Sequence, residues 1–451
     1  MSSLREKLVD IWKNDPLLRR VLRNTGYLFS SQAVAMGLSL GQSILATRLL
    51  GASVFGTLVV VMTFATNINR LFSFRMGEFV IQFMGRELAN KDYKKAGAYA
   101  RIAGITETCT SLFTYGVFML LAGWGARVFA KDPTTLPYFY LYGLFILANI
   151  TNETATGILQ VTNRFKIQAG INLAQSILTA TLITIAFFTH GTILFVLWAY
   201  LIGKLITGIG PVVAALIALN QKLGKDWWKS PGDGLASFKE MAGFTVSTNL
   251  SGTVKLVVSE SEPLLVGFLL NTAAVAYYKI ALSIATPLMV PISQFINTTY
   301  PETTRCVATK KWKELRRLLR RVTTISGAWT VLFFLAMLLC GPWILSLWGK
   351  EYVPAYPTMM ILILGYSISN IFFWNRSLLL SFGKANIALY VLAAVAVIKT
   401  ALAFVIVPVF GINGEAALLS GNFFVTVGLL VVIGLAMVRK GEKQFPEVEA
   451  A

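Results

Sequence analysis

Arg48, Arg70, Arg75, Lys204, Lys255, Lys279, Arg376 and Lys399, set against Glu78, Glu107, Glu153, Glu260 and Glu262, all lie within stretches of sequence that are otherwise apolar. If these stretches cross a bilayer, each charge at its centre costs on the order of 3 kcal/mol, so the set must face a protein interior or a water-filled cavity. Cations predominate, and that points to an anionic group on the substrate. Guanidinium groups bind anionic oxygens bidentately, and lysine serves as a point charge. Arg70, Lys255, Lys279 and Arg376 are the leading candidates for such a group, with Arg48 and Arg75 as further substrate-binding candidates. Glu260, Glu262 and Glu153 are candidates for a coupling ion, as carboxyls able to take a proton or help hold sodium. Each charge also has a structural reading. Arg75 and Glu78, three residues apart, can neutralise one another on one helix face. Arg48 can snorkel to the interface, and Lys204 and Lys399 can serve as partners for glutamates on neighbouring helices.

Helical spacing groups these residues with other polar ones. In "GTVKLVVSESEPLL" and the residues before it, Thr248, Ser251, Lys255, Ser259 and Glu262 recur at three- and four-residue intervals, one stripe of a helix. Pro263 removes a backbone donor and should loosen the preceding turn. Lys279, Ser283, Thr286, Ser293 and Asn297 approximate a second stripe, with Pro287 and Pro291 as expected kinks. Asn149, Glu153, Thr156, Gln160 and Asn163, then Gln168, Asn172 and Gln175, add amides and hydroxyls that can bind sugar hydroxyls or join helices to one another. Metal and nucleophile chemistry have little to work with. Cys109, Cys306 and Cys340 lack ligand or disulfide spacing, and His190 is the only histidine.

The elements that must position these groups are transmembrane helices. The 451 residues are 55% hydrophobic and 14% charged, with mean hydropathy +0.66, a balance that no single water-soluble core of this length can hide. Apolar windows of about 20 residues recur along the chain. They place twelve spans at 24–48, 54–84, 97–124, 137–162, 166–189, 192–219, 238–269, 273–303, 318–341, 356–381, 386–408 and 412–438. The runs are continuous rather than alternating, so an all-α polytopic protein is expected and a barrel is not. The net charge of +19 gathers in alternate loops, including the run "KKWKELRRLLRR" at 310–321. That is the positive-inside bias of a plasma-membrane protein with both termini cytoplasmic, and it suits anionic lipid rather than nucleic acid. Residues 1–23 are charged and hold no apolar run, so a cytoplasmic N-terminal segment is expected, with "LREKLVDIW" as a short interfacial helix, and not a cleavable signal peptide.

Residues 221–237, rich in Gly, Pro and Lys, read as a cytoplasmic linker between a first lobe at 24–220 and a second at 238–438, with a tail at 439–451. The halves resemble each other. "LLGASVFGTLVVV" from Leu49 answers "LLNTAAVAYYKIAL" from Leu269, and "GRELANKDYKKAGAYAR" answers "TRCVATKKWKELRRLLR", aligning Arg86 with Arg305 and Tyr93 with Trp312. Six spans per half make a parallel repeat, which favours a two-lobed transporter working by alternating access. A membrane enzyme such as a polysaccharide polymerase or ligase would need a larger extramembrane loop than any here.

The stretches "RLLGASVFG" at 48–56, "AVAYYKIALSIATPLMVPISQFINTTYPETTR" at 274–305, "GPWILSLWGKEYVPAYPTMMILILG" at 341–365 and "SFGKANIALYVLAAVAVIKTALAFVIVPVFGINGEAALLS" at 381–420 carry a resemblance. In these and in their order the chain resembles the polysaccharide-exporting flippases of O-antigen and capsule repeat units. These belong to the superfamily that also contains lipid II flippases and multidrug and toxin antiporters. The resemblance implies two six-helix lobes that carry a polyprenyl-diphosphate-linked glycan to the exterior leaflet, with proton or sodium coupling and no bound cofactor. It also implies membrane lipids and other polysaccharide assembly proteins as partners. The cation candidates then become diphosphate contacts. A lipid II flippase is the nearest alternative, and a drug antiporter, which predicts acid-dominated spans, is the next. Two departures stand out from the family pattern: Asn271 where a Gly is more usual, and Lys399 in a span that tends to carry Asn or apolar residues.

Overall fold

The computed structural model describes residues 16–74, 76–256 and 260–444, and every regular element among them is helical. An apolar chain in lipid must satisfy its backbone hydrogen bonds within each segment, and a helix does so. In chain order the helices are α1 (Pro16–Phe72), α2 (Met76–Phe79), α3 (Gly85–Ala89), α4 (Tyr93–Val128), α5 (Leu136–Ala148), α6 (Asn152–Val161), α7 (Phe165–Phe188) and α8 (Ile193–Leu223). After the 221–237 segment come α9 (Phe238–Lys255), α10 (Glu262–Leu269), α11 (Thr272–Ala285), α12 (Val290–Ala308), α13 (Trp312–Ser346), α14 (Tyr356–Ile371), α15 (Asn375–Ser381) and α16 (Ala385–Gln444).

Two of these are double crossings. In α1 the backbone leaves helical geometry at Gly51 (φ 71°, ψ 170°), and in α16 at Gly411 (φ 59°, ψ −144°). Both lie in the region that glycine enters without steric cost. Among the described residues, eight stretches are long and apolar enough to cross a membrane. Counting the kinked pair twice and adding the broken crossings α5–α6 and α9–α10 gives the twelve spans expected.

The repeat is written into the backbone. Tyr93 and Trp312, aligned on sequence, open helices of 36 and 35 residues. Just ahead of each, a lysine takes the left-handed conformation, Lys91 at φ 61° and Lys310 at φ 58°. Asn163 and Gly383 repeat the device after the fourth crossing of each half, and His190 and Gly411 after the fifth. The fourth crossing itself is broken in both halves, at residues 149–151 and 372–374.

The chain forms two compact units. The first comprises the chain up to Leu50, Phe64–Arg127 and Asp132–Thr253. The second comprises Gly51–Thr63, Val128–Lys131 and the chain from Val254 on. The first is centred on Phe79, Phe83, Tyr99, Ile158 and Leu219, and the second on Ile292, Trp312, Leu315, Phe373 and Leu378.

Two segments read from the sequence take defined positions. The 221–237 segment is strapped onto the start of α4: Arg101 Nη1 donates to the Trp228 carbonyl at 2.8 Å, and the Ala236 amide donates to Tyr99 Oη at 2.8 Å. Gly97 lets it lie close, since a Cβ there would sit 2.7 Å from Ser230 Oγ and 2.8 Å from the Trp227 carbonyl oxygen. The basic run at 310–321, expected as a loop, is helical from Trp312. Trp312, Leu315, Leu319 and Val322 are buried at helical spacing while Arg316, Arg317, Arg320 and Arg321 stay exposed, the pattern of a half-buried amphipathic helix. The Trp312 indole stacks on the Phe382 ring at 6.2 Å.

Candidate functional site

The most distinctive chemistry in the second unit is a buried charge cluster built at a helix break. Glu260 and Ser261 lie outside α-helical geometry, and α10 starts with Ser261 as its N-cap and Pro263 in its first turn. Proline costs nothing there, because the amide it lacks has no intrahelical partner anyway. The restart places the Glu262 carboxylate at the first position of a helix, where the dipole favours a negative charge. Lys399 comes from the first half of α16 and Glu415 from just past the Gly411 kink. The second half of α16 is held against α14 by hydrogen bonds from Thr358 Oγ1 to Asn413 Oδ1 at 2.5 Å and from Ser420 Oγ to the Ile361 carbonyl at 2.7 Å.

Lys399 Nζ pairs with Glu262 Oε1 and lies 2.7 Å from Glu415 Oε1. Tyr278 Oη, on α11, donates to Glu262 Oε2 at 3.3 Å. Side-chain exposures are 5% for Lys399, 1% for Glu262 and 0% for Glu415, so water cannot screen the group. Glu415 Oε2 has no hydrogen-bond partner among the described residues. Two carboxylates against one ammonium leave one uncompensated negative charge in a dry place. That excess is expensive unless a proton or another monovalent cation offsets it. Among the described residues no three His, Cys, Asp or Glu side chains gather as metal ligands.

Of the predicted coupling residues, Glu262 is thus at the centre of the cluster. Glu260 stands half-buried in the break ahead of α10, and Glu153 is exposed at the start of α6. Lys399 takes the partner role its burial suggested. Glu415 is a further member that the candidates above do not include, although a glutamate inside the apolar span 412–438 is the same signal that marks the others. Asn271, the other departure from the family pattern, caps α11: its Oδ1 accepts from the Ala274 amide at 2.9 Å.

The cation candidates separate by unit. In the second, Lys279 is half-buried on α11 and Arg376 is exposed on α15, and neither forms an ion pair among the described residues. In the first, Arg48 and Arg70 are exposed on α1. Lys204, on α8, is exposed within electrostatic range of Arg70. It pairs with no carboxylate among the described residues, contrary to the partner role available to it on sequence. Arg75 and the Lys255 side chain lie outside the described residues, as do the side chains of Ser251, Ser259, Ser293 and Asn297 and the segment holding "LREKLVDIW".

Glu107 in the first unit has a structural task. Buried at 1% exposure, it accepts from the Glu153 amide at 2.8 Å and the Thr154 amide at 2.7 Å. It therefore caps α6 from a neighbouring helix and satisfies donors that the break at 149–151 would leave open. Two of the amides offered as sugar ligands or helix joiners are used locally: Asn149 Nδ2 donates to the Phe145 carbonyl at 2.8 Å and Gln175 Nε2 to Thr179 Oγ1 at 3.0 Å. In the stripe on α11, Ser283 Oγ donates to the Lys279 carbonyl at 2.7 Å.

Residues 44–357 match the family described as polysaccharide biosynthesis protein. The inner membrane protein YghQ of Escherichia coli (strain K12) is 25% identical over 354 residues, covering 76% of this chain and 97% of that protein. Among solved structures, an inward-facing multidrug resistance MATE family transporter of the MOP superfamily superposes with TM-score 0.72 at 14% identity, over 92% of this chain and 96% of the other. A MOP superfamily transporter from Pyrococcus furiosus, described as having a binding pocket of reverse polarity, superposes with TM-score 0.63 at 13% identity, over 94% and 96%. At these identities the structural matches speak for the fold. The molecule is a multi-pass, all-helical membrane protein with the fold of MOP superfamily transporters.

Proposed function

Because the chain belongs to the polysaccharide biosynthesis protein family, we propose that it is a flippase for a polyprenyl-diphosphate-linked oligosaccharide, moving it from the cytoplasmic to the exterior leaflet by alternating access of lobes at 24–220 and 238–438, with both termini cytoplasmic. The observation that carries this reading is the excess of cations within the crossings, of which Lys279 and Arg376 have no ion-pair partner among the described residues. An unpaired cation within a crossing is costly to keep and is repaid when a phosphate binds. A carrier of cationic drugs would gain nothing from it.

Energy enters, on this reading, as a proton at the Glu262–Lys399–Glu415 cluster. Two carboxylates that share one lysine can hold one more positive charge. A proton fits better than sodium, because the two carboxyl groups lie within hydrogen-bonding reach of each other and the neighbouring ammonium repels a second metal-sized cation. Loading and unloading that proton changes the net charge of a dry site by one unit, a large enough perturbation to bias a helix that is already broken beside it.

The test is translocation in proteoliposomes, with a fluorescent prenyl-diphosphate oligosaccharide and a reagent that reaches only the outer leaflet. Lys279→Ala and Arg376→Ala should each slow transfer, and the pair should abolish it. Glu415→Gln should uncouple transfer from an imposed proton gradient. Unchanged rates in the double variant would remove the anionic-cargo reading, and a proton-gradient response that survives Glu415→Gln would remove the coupling site.

A further inference from the structure

A cavity of about 370 Å³ opens in the second unit between α12 and α15. Ile296 and Tyr300, one turn apart, form one wall, and Phe373, Arg376, Ser377 and Leu380 form the other. Arg376, Ser377 and Leu380 share one face of α15, and Phe373 joins them from the break just ahead of that helix. Its floor is apolar and buried, with Phe373 at 6% exposure. Arg376 and Tyr300 are exposed. One end is closed where Thr304 and Ser381, one turn further along the two helices, bring their hydroxyls to 3.0 Å.

The lining selects among ligand chemistries. A bare phosphate would leave the aromatic and aliphatic wall unused, and a free sugar would find too few hydrogen-bonding groups. A cationic drug would be repelled by Arg376. A phosphoryl group joined to a branched hydrocarbon chain uses both parts. The guanidinium and the hydroxyls of Tyr300 and Ser377 offer donors to phosphoryl oxygens, and Ile296, Phe373 and Leu380 offer apolar surface to the chain. The volume is at the small end for ligand sites and far below what an oligosaccharide would need.

We infer that this groove holds the phosphate-bearing end of a prenyl diphosphate, with Arg376 on the phosphoryl oxygens and the first isoprene units along α12 and α15. The inference rests on the flippase reading above and names the part of the carrier that the second unit grips. The groove takes the lipid end of the cargo, and the glycan is bound elsewhere.

The experiment titrates full-length protein in nanodiscs with farnesyl diphosphate and, separately, with inorganic diphosphate, by calorimetry. Wild type should bind farnesyl diphosphate at least ~10-fold more tightly than inorganic diphosphate, because only the former reaches the apolar wall. Arg376→Gln should weaken farnesyl diphosphate by ~10-fold or more, and Arg376→Lys should weaken it less, because charge survives and bidentate geometry does not. Leu380→Trp should also weaken farnesyl diphosphate but leave inorganic diphosphate unchanged. Thermal melting of each variant controls for folding. Equal binding by wild type, Arg376→Gln and Leu380→Trp would overturn the groove. So would competition by phosphatidylglycerol at the same mole fraction, which would make the groove an ordinary lipid site. If wild type still translocates lipid-linked oligosaccharide in either case, the flippase reading stands without the groove. If wild type neither binds farnesyl diphosphate nor translocates, that reading falls with it.

Discussion

Replacing Lys399 by methionine should damage the protein far more than replacing Glu415 by glutamine, although the two changes remove charges of equal size from the same site. The cluster of Glu262, Lys399 and Glu415 carries a formal net charge of −1, and no member is more than 5% exposed. Lys399→Met leaves two carboxylates facing each other without a cation, whereas Glu415→Gln leaves a neutral ion pair. At the 2.7 Å separation of Lys399 and Glu415, one attraction at an effective dielectric of about 20 is ~6 kcal/mol. Desolvation offsets part of this, so that removing one partner of a buried pair costs ~3–5 kcal/mol. With an unfolding entropy of ~2 cal/mol/K per residue, that loss lowers the melting temperature by roughly 3–5 °C if the chain melts as one, and by about twice that if the second unit melts alone. Glu415→Gln should stay within ~1 kcal/mol of wild type, since it removes the uncompensated charge and keeps the Lys399–Glu262 pair. The double variant should recover part of the loss, because it removes one of the two stranded carboxylates. Melting curves of the purified protein in one detergent at one pH decide the matter. A Lys399→Met protein as stable as wild type, or a Glu415→Gln protein as damaged as Lys399→Met, would refute the charge count on which the site rests.

Three further outcomes follow from other parts of the fold. A Cβ on Gly56 would lie 1.7 Å from the Thr272 carbonyl oxygen, so Gly56→Ala should cost ~1–3 kcal/mol by overpacking, while Gly37→Ala, with nothing within 4 Å, should be neutral or stabilising; thermal melts compare the two. Glu107→Ala should cost ~1–3 kcal/mol by stranding the Glu153 and Thr154 amides, and it should expose the 149–151 break to limited proteolysis before global unfolding. Asp132, in the turn between α4 and α5, is held below the ordinary carboxyl range by hydrogen bonds from the Thr134 hydroxyl and amide. Its contribution is therefore present above the unfolded value of about 3.9 and lost as pH falls through the depressed one. The melting difference between wild type and Asp132→Asn should be largest near neutrality and vanish in acid.

The crossings were legible because continuous apolar runs report directly on lipid burial, and the repeat was legible because Tyr93 and Trp312 follow similar turns. The amphipathic start of α13 was also written in the sequence, in the spacing of Trp312, Leu315, Leu319 and Val322, but the density of arginines around them drew attention to charge instead. Partnerships were not legible. Glu262 and Lys399 are 137 residues apart, and only tertiary packing decides whether a buried lysine meets a carboxylate, a phosphate or another cation, as Lys204 near Arg70 illustrates. The fourth-crossing breaks were hidden for a related reason. "ANITNET" and "FFWNRS" hold no proline or glycine, and the amides left open at the first are satisfied by Glu107 from another helix.

The first half contains a neutral version of the joint that is ionised in the second. There, Gln42 Nε2 donates to the Ser176 carbonyl at 3.0 Å, between the first and fifth crossings, the same pair of positions that Glu262 and Lys399 occupy as the seventh and eleventh. An amide has no charge to gain or lose between pH 4 and 9, so a pH difference across the bilayer finds no handle at Gln42. If one ancestral contact underlies both, the proposed proton site arose in only one copy, and the other has stayed a rivet.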